Sequence, residues 1–121
     1  MTVAVTPCDD DFPDIIAKES SATSTASEDI FDGPKAVHNI DIDNSANAGS
    51  AAVVRLYDAL TADNNSVPDM KLTIPQAVKR SITISDGIAF GTGVSIRCTT
   101  GQADADVANP GAAVVITATG S

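Results

Sequence analysis

From Gly33 onward the chain alternates between apolar and polar residues in short runs. Ala36, His38, Ile40 and Ile42 fall on one face of an extended segment, with Asn39, Asp41 and Asp43 mostly opposite. Successive side chains of extended backbone point to opposite sides, so a period of two predicts a strand with one buried face. The pattern recurs over 51–59, where Ala52, Val54 and Leu56 oppose Val53, Arg55 and Tyr57. It recurs again over 70–74, 78–85 and 94–98. Ile88-Ala89-Phe90 forms a further short strand or bend, and residues 112–119 close the chain with Val114 and Ile116 on one side. Thr2–Thr6 and Asp29–Phe31 are two additional candidates. Clusters rich in Gly, Pro, Asn, Asp and Ser separate these runs: 44–50, 61–68, Asp86-Gly87, Gly91-Thr92-Gly93 and the long polar stretch 99–111. The helical candidate Val54–Leu60 is short, begins β-branched and lacks a cap. Seven or eight strands without a helix predict an all-β, antiparallel β-sandwich, immunoglobulin-like or jelly-roll; the pattern does not choose between them.

Composition reinforces this and adds an asymmetry. Val, Ile and Thr number 11, 11 and 12, a bias towards residues that pack well on a pleated surface. The net charge is −9, and residues 1–32 hold eight acids and one lysine, so −7 of it lies in the first quarter. Ser20–Ser27 is small and polar. Residues 1–34 therefore read as an acidic arm outside a sandwich of residues 35–121. Phe12, Ile15, Ile16, Ile30 and Phe31 are apolar points by which such an arm could dock. The acidity disfavours binding to a phosphate backbone, and no apolar run approaches the roughly 18 residues of a membrane span. Residues 1–7 lack the basic and apolar regions of a secretory signal, so synthesis in a cytoplasm is expected. Cys8 and Cys98 are too few for a disulfide scaffold. Two reduced thiols are expected, with Cys98 packed in a strand, and a single bridge is the other arrangement.

Catalytic patterns are weak. His38 is the single histidine; no Gly-x-Ser-x-Gly elbow accompanies it, and Asp41 and Asp43 fall on the opposite strand face. Asp9, Asp10, Asp11 and Asp14, or Asp41, Asp43 and Asn44, could offer oxygen ligands to calcium, but the EF-hand spacing fails. Gly91-Thr92-Gly93 lacks the third glycine and following helix of a dinucleotide loop. Nothing selects a carboxylate pair for glycosidic chemistry, and aromatics, at 3%, leave few platforms for sugar stacking. Neither an enzyme nor a cofactor is expected.

One resemblance sharpens this reading. Ile40–Ala48, Val54-Arg55-Leu56-Tyr57-Asp58-Ala59, Val67-Pro68-Asp69-Met70, Pro75, Gly87–Ile96 and Thr99-Thr100-Gly101 stand in an order that resembles small virion proteins of tailed bacteriophages. The resemblance covers about residues 28–121. It implies a β-sandwich that coats a phage head as a capsid decoration (cement) protein, bound to the major capsid protein and self-associated, with a homotrimer suited to a capsid threefold. Such a protein resides on the virion and carries no catalytic residues. A tail or fibre component is the second expectation, and a non-viral binding module the third. Asp9, Asp10, Asp11 and Asp14, facing basic shell residues, are the expected partner contacts, with Phe12, Ile15 and Ile16 as apolar anchors. Ile88-Ala89-Phe90 and Val114-Val115-Ile116 are the expected surface between copies.

Overall fold

The computed structural model describes residues 15–121. Seven strands follow one another: β1 (Ile15–Glu19), β2 (Lys35–Asp43), β3 (Ala52–Asp58), β4 (Met70–Ile74), β5 (Lys79–Phe90), β6 (Val94–Thr99) and β7 (Val115–Gly120). They form two antiparallel sheets, one of four strands in the order β1-β7-β2-β5 and one of three in the order β4-β3-β6. No helix occurs among the described residues. The fold is the all-β antiparallel sandwich that the alternation predicts.

The sheets meet through the apolar faces of their strands. Ile40 and Ile42 of β2 and Ile116 and Ala118 of β7 pack with Ala52, Val54 and Leu56 of β3 and Val94, Ile96 and Cys98 of β6. Burying a branched aliphatic or aromatic side chain contributes about 1.5–3 kcal/mol, so this layer drives the fold. Phe90, Val114 and Ile116 also lie in this core. They are not the contact surface between copies expected above; each is an inward residue of its own run.

The four-stranded sheet departs from simple alternation in two places. Val37 joins Ile40 and Ile42 in the core, although the pattern assigns Ala36 and His38 to that face. The cause is a bulge: Val37 and Asn39 pair with the adjacent residues Gly120 and Thr119, leaving His38 as the extra residue. On the other side of β2, Val37 pairs with Ile88 and Asn39 with Thr83, so residues 84–87 face His38 alone. The runs 78–85 and 88–90 are therefore one bulged strand, and Asp86-Gly87 lies within it. Gly87 has φ +77, and a Cβ there would sit 3.0 Å from His38 Cε1 and 3.1 Å from the Ala36 Cβ.

The expected boundary at residue 34 also needs correction. Residues 15–34 belong to the sandwich. β1 pairs along its whole length with β7, Ile15 to Gly120 through Glu19 to Ile116. Ala22 and Phe31 are core residues. Between them the chain runs beside β6: Ser27 and Ile96 exchange two backbone hydrogen bonds, Ile30 N donates to Val94 O, and Cys98 N donates to Thr23 O. This small, polar segment satisfies the unpaired edge of β6, a role that needs backbone groups more than large side chains. Asp29–Phe31 is thus a turn, with Asp29 and Asp32 at positive φ, a conformation aspartate tolerates. The candidate strand Thr2–Thr6 lies outside the described residues.

Candidate assembly surface

Of the seven predicted partner-contact residues, Asp9, Asp10, Asp11, Phe12 and Asp14 lie outside the described residues. Ile15 and Ile16 are adjacent in β1 and are separated by it. Ile15 is half-buried and packs against the core, whereas Ile16 is 72% exposed on the outer face. β1 is the edge strand of its sheet. A groove of about 320 Å³ runs beside it, lined by Ile16, Ala17, Lys18, Ile30, Ile96 and Ile116. Glu19 also borders the groove but is already engaged: its carboxylate accepts from Ser21 N at 3.0 Å and Ser27 Oγ at 2.7 Å. Lys18 points outward beside Ile16.

The outer face of the four-stranded sheet continues from β1 as ordered cross-strand rows. One row is Ile16, Thr119, Asn39 and Thr83; the next is Lys18, Thr117, Asp41 and Ser81; the third brings Val115, Asp43 and Lys79 together. Asn39 Oδ1 accepts from Ser81 Oγ at 3.2 Å and Thr83 Oγ1 at 2.9 Å. Asp43 accepts from both the backbone and hydroxyl of Ser45, with Lys79 Nζ 3.7 Å away, and these donors hold its carboxyl below the usual range. Asn44 turns inward, its amide donating to Ser50, Ile74 and Pro75 carbonyls. The face is short-chained and polar, with both signs of charge interspersed.

The opposite outer face, on the three-stranded sheet, is closed. Arg55 of β3 and Arg97 of β6 are paired in register and are completely buried. Arg55 donates to Thr99 Oγ1 at 2.5 Å, Gly101 O at 2.7 Å and Ala103 O at 2.6 Å. Arg97 donates to Ser24 O at 2.7 Å, Asp106 O at 2.7 Å and Tyr57 Oη at 3.1 Å. The loop 100–111 thereby folds back over the sheet with its carbonyls turned inward. Lys71 ties down its rim, pairing with Asp104 at 2.6 Å and donating to Gln102 O at 2.7 Å. Gly101 lies close against the Asp106 side chain, so a Cβ there would make that carboxylate shift. Strand alternation located Arg55 and Arg97 on outer faces but carried no signal that a loop would bury them.

His38 is buried, with Nε2 2.8 Å from Ser121 Oγ. Asp58 fills the turn Gly91-Thr92-Gly93: it accepts from the three backbone N–H groups at 3.2, 2.8 and 3.4 Å, which lowers its pKa. Burial pushes the Cys98 thiol up to about 12, with the Arg55 charge opposing. Cys8 lies outside the described residues. Among the described residues no three His, Cys, Asp or Glu side chains converge as metal ligands, and no helix is long and apolar enough to cross a membrane. No protein family, characterised protein or solved structure matches this chain.

Proposed function

We propose that this chain is a structural virion protein of the capsid-decoration type, binding the assembled head of a tailed phage in many copies. The observation that carries the reading is the contrast between the two outer faces. One is sealed by the arginine-held loop. The other is a polar sheet face ending at edge strand β1, where Ile16 is exposed. The strongly acidic residues 9–14 immediately precede that edge in the sequence. A rigid sandwich with one such face suits repeated contact with a broad partner surface. The major capsid protein is the partner in this reading, its basic residues meeting the acids and its apolar residues meeting Ile16.

The energetics follow from mass action. A protein that binds the assembled shell and not its dissociated subunits stabilises the shell by about 2.7 kcal/mol per site at a hundredfold excess over the dissociation constant. Each exposed ion pair contributes little, so apolar burial and repetition carry the effect, and the charged part weakens with salt. The test is to heat or osmotically shock particles lacking the protein, with and without purified protein added back. Greater survival with the protein supports cementing. Equal survival contradicts it and favours a tail, fibre or adhesion role.

A further inference from the structure

We propose that loop 100–111 is a releasable cover over a latent oxyanion site, a row of Lys71, Arg55 and Arg97 that takes a phosphate or carboxylate group when the loop lifts. This inference does not rest on the virion reading. Arg55 of β3 pairs in register with Lys71 of β4 on one side and with Arg97 of β6 on the other. Opposed residues of antiparallel strands share a sheet face, so three cations stand side by side. Like charges set directly opposite repel, and the row calls for negative charge above it. The loop supplies little. The acceptors of the two guanidinium groups are backbone carbonyls and the hydroxyls of Thr99 and Tyr57. Asp104 reaches only Lys71, at the exposed rim, and the Asp106 carboxylate accepts from its own Ala108 N at 2.8 Å. Arg55 Nε is buried with no hydrogen-bond partner. A guanidinium is a planar fork that fits two oxygens of one phosphate or carboxylate, and carbonyls offered singly leave the Arg55 fork incomplete.

The cover is fastened in a way that lets it lift. No residue of 100–111 belongs to the apolar core, and Val107, its one large apolar side chain, is 59% exposed. Its attachments are polar: the arginine–carbonyl bonds, the Lys71–Asp104 pair, Gln102 Nε2 donating to Thr73 Oγ1 at 2.9 Å, and Asn109 Oδ1 accepting from Ser24 N at 2.8 Å. Segments with few buried apolar contacts open at lower free energy than the core beneath them. The core need not follow, because Arg55 and Arg97 project from the sheet face opposite Val54, Leu56, Ile96 and Cys98. An oxyanion that binds the uncovered row and not the covered one raises the open population, in proportion to its concentration over its dissociation constant.

The experiment is limited proteolysis of the full chain with an endoprotease that cuts before aspartate, reading the cut at Asp106 by mass. Cleavage that is slow relative to opening and closing tracks the population of the open form. Sodium phosphate is compared with sodium chloride at matched ionic strength, and a peptide of the loop sequence corrects for the protease's own response to salt. Phosphate should speed the cut several-fold over chloride and saturate, with the circular dichroism spectrum unchanged. A sodium acetate arm separates the sources: acceleration by acetate as well extends the site to carboxylates, and acceleration by phosphate alone restricts it to phosphate groups. Asp104→Asn and Lys71→Met both remove the rim pair, so both should speed the basal cut. Asp104→Asn should keep the phosphate response, whereas Lys71→Met should lose most of it. Equal rates in phosphate and chloride, or a full phosphate response in Lys71→Met, would overturn the site and leave the arginines as fasteners of the loop alone.

Discussion

Two guanidinium groups buried without a buried carboxylate are costly unless every polar group around them is satisfied. Here the carbonyls of Gly101, Ala103, Asp104 and Asp106 accept from the arginines, and of the nitrogens of the two guanidinium groups Arg55 Nε alone is left buried without a partner. Charge-assisted bonds of this kind contribute about 1.5–3 kcal/mol each when one partner is deleted. Replacing Arg97, with bonds to Ser24, Tyr57 and Asp106, by Met should therefore cost about 3 kcal/mol or more, read as a lower urea midpoint. It should also make the loop a preferred site of limited proteolysis. Little change in either would mean that the loop is held by other contacts. The raised thiol of Cys98 predicts inertness. In the Cys8→Ser background a thiol reagent at pH 8 should leave the folded protein unmodified and label one group in denaturant. Asp58 gives a pH dependence with a definite sign. Its folded pKa lies below the unfolded value near 3.9, so its contribution is present above that value and is lost as pH falls through the lowered one. Asp58→Asn should lower stability at neutral pH, and the gap to the native protein should narrow below about pH 4 in acid titrations of the denaturation midpoint.

The elements divide by how much of their environment is local. Strands β2, β3, β4 and β6 and the closing strand follow from period-two alternation, because each buries one apolar face against the other sheet. The bulge at His38 was not legible: Ala36, His38, Ile40 and Ile42 form an unbroken alternation, and only the pairing with β7 and β5 shows that Val37 replaces His38 in the core. The segment 15–34 departs from the sequence expectation for a related reason. Its acids and small polar residues mimic an arm, while what it supplies to the sandwich is mostly backbone, at the edges of β7 and β6. Phe31 is the exception, a large side chain in a polar stretch. Phe31→Ala should destabilise the protein by about 3–5 kcal/mol, as a core aromatic does; a loss under about 1 kcal/mol would restore the arm. Of the predicted contacts only Ile16 emerges as exposed apolar surface, and neighbouring Ile15 is spent inward by the same alternation that reveals the strands.

For the whole molecule, the described residues present one sealed face, one polar face and, at β1, an edge that no other described strand pairs, with net charge −9 concentrated towards that edge in sequence. This distribution suits a protein that meets a large, repeated partner at one side while the other stays in solvent. Long-range attraction of an acidic molecule to basic patches speeds encounter and is screened over about 10 Å at 0.1 M salt. Under the proposed attachment, occupancy on particles should therefore fall as salt rises but persist in part, the remainder being the apolar contact proposed at Ile16; binding isotherms across a salt series measure both parts. The central claim is attachment to an assembled phage head, and imaging tests it most directly. Electron cryo-microscopy of particles made with and without this protein should show added density at symmetry-related positions on the head surface, absent when the protein is absent. Identical heads in both samples, or added density confined to the tail, would contradict it.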